Sequence, residues 1–326
     1  MKALIYTGKM QMAYGEAAEP QLAPGEALIA VEAVGICGSD MHAWHGHDER
    51  RPAPLILGHE AAGRVIGGAW EGKRVTVNPL VTNDQSPASL EGRENLDPDR
   101  QIISMPPREG AFAERLVMPV GNLVEVPDHV DIRHAALAEP LAVCWRAAKH
   151  GQRVLYGELN DARCLVQGGG AIGLGSALSL RALGARGVAV VEPNPLRHAA
   201  LQREGFEVLS PDAAQGPYDL IIDAVGYTAT RAAACAAIKP GGVIVHVGLG
   251  DADGGIDTRR LTLQEITFLG SYCYTKQDFK ETAQGIFEGR FGDLSWAEDR
   301  ALADGAQAFQ DIHDGTVAAP KIILHP

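Results

Sequence analysis

The sequence has few cysteines, no excess of basic residues and no long apolar run. Its five cysteines are odd in number and widely scattered, which argues against a disulfide framework and for a reducing compartment. No segment approaches the roughly 20 apolar residues that cross a membrane. Residues 1–6 run into a strand pattern without the apolar stretch of a secretory signal. We therefore expect a cytoplasmic protein with no membrane partner.

Basic residues are in the minority, with 29 lysines and arginines against 41 acidic residues and a formal net charge of −12. A protein that binds nucleic acid needs a basic face, so this balance argues against a nucleic-acid partner. The 46% hydrophobic and 21% charged residues that are present are typical of a soluble globular protein. A length of 326 residues is enough for two domains, each with its own core.

Two different patterns divide the chain. Short strand-like segments, such as residues 27–34 and 63–66, are separated by turn residues and predict a compact, mostly β domain. In the second part, strand patterns at 163–167 and 188–192 alternate with a helix pattern at 172–184. Strands that alternate with helices predict a parallel, doubly wound sheet. The expected fold class is therefore α/β.

A glycine-rich turn at residues 167–173 (QGGGAIG) carries the pattern G-x-G-x-x-G between a predicted strand and a predicted helix. The three glycines allow a tight turn, a close approach to a pyrophosphate and close packing of the helix. A run of glycines that does not lie between a strand and a helix would indicate only a flexible loop. Glu192 ends the next predicted strand and can accept hydrogen bonds from a ribose, which favours NAD over NADP. Arg197 can reach a phosphate and weakens that preference. The expected cofactor-binding residues are Gly168, Gly170, Ala171, Ile172, Gly173, Glu192, Arg197, Val247 and Gly248.

Metal-binding residue types precede this turn. Cys37 and His59 offer a thiolate and an imidazole, and Glu60 and Glu139 offer carboxylates. A catalytic zinc has three protein ligands and an open position, where it acidifies a bound alcohol. A lone cysteine or histidine is more often a plain core residue. Together with the dinucleotide pattern, these residues predict hydride transfer between an alcohol and a nicotinamide.

The chain resembles the zinc-dependent medium-chain alcohol and polyol dehydrogenases over nearly its whole length. The segments that carry the resemblance are 35–42 (GICGSDMH), 57–63 (LGHEAAG), 110–114 (GAFAE), 138–143 (AEPLAV), the glycine turn, 239–242 (KPGG) and 269–272 (LGSY). The resemblance implies a GroES-like catalytic domain at 1–139, a Rossmann domain at 140–271 and a tail, 272–326, that packs back on the first domain. It also implies a zinc ion in the cleft, NAD and a homodimer or homotetramer.

The resemblance assigns Cys37 and His59 as zinc ligands and Glu60 as the third ligand or a close neighbour. Glu139 stands where many alcohol dehydrogenases have a second cysteine, whereas the sorbitol and idonate dehydrogenase branch has glutamate there. Whether Glu60 or Glu139 binds zinc directly stays open at this point.

A proton relay is implied as well. In this relay Ser39 takes the proton of the alcohol and passes it through the cofactor ribose to His42, which releases it to solvent. The catalytic residues implied are Ser39, His42, Cys37 and His59. Asp40 either orients His59 or caps a helix. His45 and His47 are interpreted as surface residues at the rim of the site.

Many relatives have a lobe in which four cysteines, spaced C-x2-C-x2-C-x7-C, hold a second zinc. The corresponding positions here are Asn83, Ser86, Ser89 and Asp97. Hydroxyl and amide oxygens hold zinc poorly, so we expect one catalytic zinc per chain and no structural zinc. The lobe is then held by hydrogen bonds or by a neighbouring subunit, or it is mobile.

The expected reaction transfers a hydride between NAD and a secondary alcohol of a polyol, sugar or sugar acid. A simple alcohol or amino-alcohol (threonine-type) dehydrogenase is the nearest alternative. A zinc-free quinone-reductase relative has no reason to keep Cys37, His59 and Glu60 together. A non-catalytic NAD-binding relative is disfavoured by the relay residues.

Overall fold

The computed structural model describes residues 1–326, and its backbone is built from 18 strands and ten α-helices. The strands are β1 (Lys2–Gly8), β2 (Gln11–Glu16), β3 (Glu26–Gly35), β4 (Leu55–Ile56), β5 (Glu60–Gly68), β6 (Arg74–Val77), β7 (Leu80–Val81), β8 (Gln101–Ile102), β9 (Arg115–Pro119), β10 (Leu123–Glu125), β11 (Arg163–Gln167), β12 (Gly187–Val191), β13 (Glu207–Leu209), β14 (Tyr218–Asp223), β15 (Ile238–His246), β16 (Thr267–Gly270), β17 (Ala297–Ala301) and β18 (Lys321–His325). The helices are α1 (Gly38–Trp44), α2 (Pro87–Leu90), α3 (Ile132–Ala136), α4 (Ala138–Val154), α5 (Ala171–Ala182), α6 (His198–Arg203), α7 (Thr228–Ala237), α8 (Thr258–Leu263), α9 (Lys276–Phe287) and α10 (Gly305–His313). No helix combines the length and the apolarity that a membrane crossing needs.

The first part of the chain is organised around β3. This strand buries alternate residues, as expected for a strand that packs one face on a core. It pairs antiparallel with β5, β9 and β18, and the sheet runs in the order β10-β6-β5-β3-β18-β17. The carboxyl end of β3 leads directly into Cys37 and α1, so the sheet fixes where the predicted thiolate lies.

The second part is a six-stranded sheet in the order β13-β12-β11-β14-β15-β16, with every pair parallel. Its central strands are continuous apolar runs, as expected where helices cover both faces. The chain order reverses between β11 and β14, and such a switch point is where open α/β sheets bind ligands. The predicted doubly wound parallel sheet is therefore confirmed.

The chain crosses between the two parts more than once. Helix α4 contacts α5, and α9 packs on α4, with Phe279 and Phe291 in the same core as the parallel sheet. The chain then returns to the first sheet, where β18 pairs antiparallel with β3 and parallel with β17. The last strand thereby comes next to the segment that follows β3.

The lobe that lacks the four cysteines is held by hydrogen bonds. The Ser86 hydroxyl donates to that of Ser89 at 3.0 Å and accepts from its backbone N–H, and the Ser89 hydroxyl donates to the Asn83 carbonyl at 2.7 Å. Asn95 donates to the Tyr272 carbonyl at 2.8 Å, which ties the lobe to the segment after β16. Polar groups thus connect Asn83, Ser86 and Ser89, three of the four positions considered for a second metal.

Candidate active site and metal centre

Asp40 ties together the two segments that carry Cys37 and His59. Its fully buried carboxylate accepts the backbone N–H of Cys37 at 2.9 Å and that of Gly58 at 3.3 Å. Gly58 has φ +90°, and a Cβ there would lie 2.5 Å from the ring of Phe112. A glycine is therefore needed before His59, because only glycine adopts this conformation without a clash. Asp40 acts both as a helix cap and as a neighbour of His59.

The three residues Cys37, His59 and Glu60 bring one ligand atom each to within 4.8 Å of the others. His59 Nδ1 lies 3.4 Å from Asp40 Oδ1, and its Nε2 lies 3.5 Å from the Ser39 hydroxyl. Burial by itself would lower the pKa of His59, but the negative charges of Asp40 and Cys37 outweigh it and raise that pKa well above its usual range. The negative charges around His59 thus favour a positive charge at the position of its ring.

A buried lysine, which the sequence analysis missed, belongs to the same cluster. Lys321 at the start of β18 donates to Glu60 Oε1 at 2.6 Å and to the Ile36 carbonyl at 2.8 Å. Burial opposes its charge, but Glu60 and Cys37 raise the pKa of Lys321 above its ordinary value. The only indication of this buried lysine in the sequence is its position as the first residue of an otherwise apolar strand pattern.

The second oxygen of Glu60, Oε2, is buried and has no hydrogen-bond partner. A buried carboxylate oxygen without a partner is costly, so it marks a place where a cation fits. Thiolate, imidazole and carboxylate together are a donor set that zinc accepts. The residues present therefore fit a zinc ion.

Glu139 lies beside this cluster but not within it. It is in the first turn of α4, and its Oε1 accepts a 2.7 Å hydrogen bond from the Tyr274 hydroxyl. Burial, with the charge of Glu60 adding to it and His59 opposing it, raises the pKa of Glu139 to about 7. The ligand atoms that lie within 4.8 Å of one another come from Cys37, His59 and Glu60 and do not include one from Glu139. Tyr274 is a further site residue that the sequence analysis missed.

The predicted relay residues share helix α1. Ser39 is half-buried beside His59, and its carbonyl accepts a 2.7 Å hydrogen bond from Arg51. His42 is exposed at the last turn of the helix. Helical spacing places residues three apart on one face, so both side chains lie on the same side of α1.

One cavity of about 770 Å³ is lined both by Cys37 and Lys321 of the cluster and by the glycine turn. A Cβ on Gly173 would lie 1.7 Å from the Gly168 carbonyl oxygen, so the third glycine lets α5 pack against the turn. Seven of the nine predicted cofactor residues line the cavity, whereas Val247 and Gly248 do not. The lining residues from the prediction are Gly168, Gly170, Ala171, Ile172, Gly173, Glu192 and Arg197.

Glu192 is held in place by the turn that it faces. One carboxylate oxygen accepts the Gly169 N–H at 2.8 Å and the other accepts the Asn194 N–H at 2.7 Å. Arg197 lies 3.5 Å from the same carboxylate, so the two charges partly neutralise each other. A carboxylate beside the N-terminus of α5 is where the ribose of a dinucleotide is expected.

Two family models match the chain: the alcohol dehydrogenase GroES-like domain over residues 23–128 and the zinc-binding dehydrogenase over residues 171–288. The chain belongs to the zinc-dependent alcohol dehydrogenase family. The family assignment, the GroES-like and Rossmann fold and the oxidoreductase class predicted from the sequence are thereby confirmed. Members of this family use zinc and a nicotinamide dinucleotide.

Relatives within the family include polyol and sugar-acid dehydrogenases. L-galactonate-5-dehydrogenase of Escherichia coli is 32% identical over 89% of this chain and 88% of its own. Sorbitol dehydrogenase of Bacillus subtilis is 32% identical over 76% of this chain and 75% of its own. The solved structure of an Escherichia coli oxidoreductase of unknown specificity, ECK1772, has a TM-score of 0.91 and 27% identity over 99% of this chain and 98% of its own. The chain thus lies in the polyol dehydrogenase branch of the family.

Proposed function

We propose that the chain oxidises a secondary alcohol of a polyol, sugar or sugar acid and transfers the hydride to NAD. The observation that carries this proposal is the group of Cys37, His59 and Glu60, whose Cys37 lines the same cavity as the glycine turn. The names of the two 32% identical relatives support a polyhydroxylated substrate.

Cys37, His59 and Glu60 would hold the zinc ion, with Glu139 as the alternative carboxylate. The unpartnered Glu60 Oε2 supports Glu60 over Glu139, whose Oε1 already accepts from Tyr274. When bound, zinc with an open position acidifies an alcohol that reaches it. Because the lobe positions carry oxygen donors joined by hydrogen bonds, we propose one zinc per chain.

The surrounding residues orient the cluster. Asp40 lies against His59 Nδ1 and leaves Nε2 on the side of Cys37 and Ser39, and a carboxylate in this position sets the ring orientation of a metal-bound histidine. Lys321 holds one oxygen of Glu60 and leaves the other free. His59 and Glu60 are therefore each positioned by a buried partner.

Ser39 would take up the proton of the alcohol, and His42 would release it. The Ser39 hydroxyl is the hydroxyl group next to His59 Nε2, and His42 on the same face of α1 is open to solvent. A hydroxyl both accepts and donates, and an imidazole exchanges protons with water near neutral pH. One helix thus places a hydroxyl beside the buried cluster and an imidazole at the surface.

We propose NAD as the preferred cofactor. Glu192 would accept the ribose hydroxyls and repel a 2′-phosphate, and its two backbone hydrogen bonds keep the carboxylate at the turn. NAD should therefore be used with a higher kcat/KM than NADP, and Glu192→Ala should narrow the difference. Initial rates with both cofactors test this; equal use of the two by the unaltered protein would contradict it.

For the remaining properties, we propose domains at 1–139 and 140–271, with 272–326 as a returning tail, a cytoplasmic location and a homodimer or homotetramer. All five cysteines are free, which supports a reducing compartment.

The test is a panel of sugar alcohols and aldonates with NAD, followed by the absorbance of the reduced cofactor. A polyol or aldonate should give the highest kcat/KM, whereas a short alcohol or threonine as the best substrate would overturn the substrate class. Cys37→Ala should lose zinc and turnover, and Cys164→Ala, in the core of β11, should keep both as a matched control. Full activity of Cys37→Ala would overturn the proposed metal site.

A further inference from the structure

Four histidines meet on the surface outside the catalytic cluster: His42, His45, His47 and His313. His45 follows the last residue of α1, and His313 is the last residue of α10, so they are 268 residues apart in the chain. Nothing in the proposed reaction uses His45, His47 or His313.

The two side chains from different helices already face each other through their nitrogens. His45 Nε2 and His313 Nδ1 are 3.0 Å apart, and one of them donates to the other. Two imidazole nitrogens on one tetrahedral zinc or similar ion, with bonds of about 2.05 Å, lie about 3.3 Å apart. The observed nitrogen separation is within about 0.3 Å of that value, and both rings would also turn so that their lone pairs meet at the ion.

The ring separations agree with the same geometry. The ring centroids are 5.0 Å apart for His45 and His313 and 5.8 Å apart for His45 and His47. Rings on one tetrahedral ion have centroids about 5.2 Å apart, given the same bond lengths. His47 is exposed and its ring contacts His45 but not His313, so its side chain would turn toward His313 to complete the set.

We propose that His45, His47 and His313 form a second transition-metal site, distinct from the catalytic one, that takes Ni²⁺ or Cu²⁺. Imidazole is a preferred ligand of these ions. The site connects the end of α1 to the end of α10, and the buried Trp44 packs against both His45 and His313.

The state of His45 favours this use. Partial burial and the neighbouring His313 lower the pKa of His45, so its ring is neutral near pH 7, and the neutral ring is the form that binds metal. Lys9 packs beside Gly46 and opposes a cation. Coordination by nitrogen, rather than attraction between charges, must therefore hold the ion.

The experiment titrates Ni²⁺ into the zinc-loaded protein by calorimetry, with zinc content measured before and after. One Ni²⁺ per chain should bind while the catalytic zinc is retained. His45→Gln, His47→Gln and His313→Gln should each weaken binding by about tenfold or more. His129→Gln, which removes an exposed histidine elsewhere, is the matched control and should bind as the unaltered protein does.

Two results would overturn the site. Saturable Ni²⁺ binding that survives both His45→Gln and His313→Gln would place the ion elsewhere. Absence of saturable binding in the unaltered protein would leave His45 and His313 as a hydrogen-bonded pair only. Thermal unfolding midpoints of the variants without Ni²⁺ show whether each is folded, so a loss of binding is not mistaken for misfolding.

A kinetic consequence rests on the proposed function. His47 lies 5.3 Å from His42 between ring centroids, so an ion at His47 would sit next to the proposed proton exit. Ni²⁺ should then lower kcat in the unaltered protein and not in His313→Gln. Binding without this effect would count against the role of His42 and leave the metal site intact.

Discussion

At the residue scale, the pair of Lys321 and Glu60 decides the charge of the site. Both side chains are almost completely buried, at 3% and 0% exposure, and they meet at 2.6 Å. A buried ion pair is weak evidence for stability as a whole, but removing one partner leaves an unpaired charge and is costly. The buried Glu60 carboxylate therefore needs a neighbouring positive charge, which Lys321 or a bound metal ion can supply.

Lys321→Met should lower the free energy of unfolding by about 3–5 kcal/mol in the metal-free protein. The loss should be smaller in the zinc-loaded protein, because the ion neutralises Glu60 when the lysine is gone. Chemical denaturation of both forms measures this. Adding Glu60→Gln to Lys321→Met should recover much of the metal-free loss, and equal stability of Lys321→Met and the unaltered metal-free protein would contradict the argument.

The Tyr274 hydroxyl has a comparable role for Glu139. Tyr274→Phe leaves a buried carboxyl oxygen without its donor, so the free energy of unfolding should fall by about 1–3 kcal/mol. Tyr272→Phe is the matched control, since its hydroxyl has only a 3.4 Å contact with Arg100. Denaturation curves compare the two, and a larger loss for Tyr272→Phe would show that Glu139 does not depend on Tyr274.

At the scale of elements, α9 is attached to α4 through Asp278. The carboxylate caps the start of α9 by accepting the backbone N–H and the hydroxyl of Thr275, and it pairs with Arg146 at 2.7 Å and Lys149 at 3.0 Å on α4. Burial opposes its charge, but these hydrogen bonds and ion pairs lower the pKa of Asp278 to about 2.

This shift makes the contribution of Asp278 dependent on pH. Because its folded pKa is below the unfolded value near 3.9, its contribution is complete above about pH 5 and is lost as pH falls toward 2. Allowing for solvent screening, it amounts to about 1–2 kcal/mol. Asp278→Asn should therefore be less stable near pH 7, with a difference that shrinks below pH 4.

Denaturation at several pH values measures the Asp278 contribution. Asp212→Asn, at an exposed position, is a control that should change stability little at any pH. The difference in stability between Asp278→Asn and the unaltered protein should depend on pH. If it is the same at pH 3 and pH 7, the ionised Asp278 carboxylate is not the cause of the lost stability.

At the scale of the whole molecule, the position of the cavity relative to the lobe determines how removal of zinc affects turnover and the structure of the lobe. Cys37 and the glycine turn both line that cavity, whereas no residue of the polar lobe does. A chelator should abolish turnover and remove about one zinc per chain, because Cys37, His59 and Glu60 form a single set of zinc ligands. The lobe should keep its structure, because hydrogen bonds rather than thiolates hold it.

Zinc analysis and hydrogen exchange across residues 82–100 test the zinc count and the response of the lobe. Turnover after re-addition of zinc shows that the loss is specific to the metal. Two zinc ions per active chain, or a lobe that loses exchange protection when the chelator acts, would contradict a single catalytic zinc.

The sequence by itself determined the features that depend on local spacing. The strand–glycine–helix pattern predicted the dinucleotide turn, because a turn, a helix start and the close approach at Gly173 involve neighbouring residues. Cys37 and Asp40 lie three residues apart, so their contact follows from one helix turn. Alternation of strands and helices likewise predicted the parallel sheet, whose strand order in the structure is β13-β12-β11-β14-β15-β16.

Only the tertiary structure decided which distant side chains complete the site. Lys321 and Glu60 are 261 residues apart, and Tyr274 and Glu139 are 135 apart. Their contacts depend on the register of β18 against β3 and on how the chain returns after the parallel sheet. Sequence patterns report local conformation and burial, but not which buried charges meet, because that depends on the packing of whole elements.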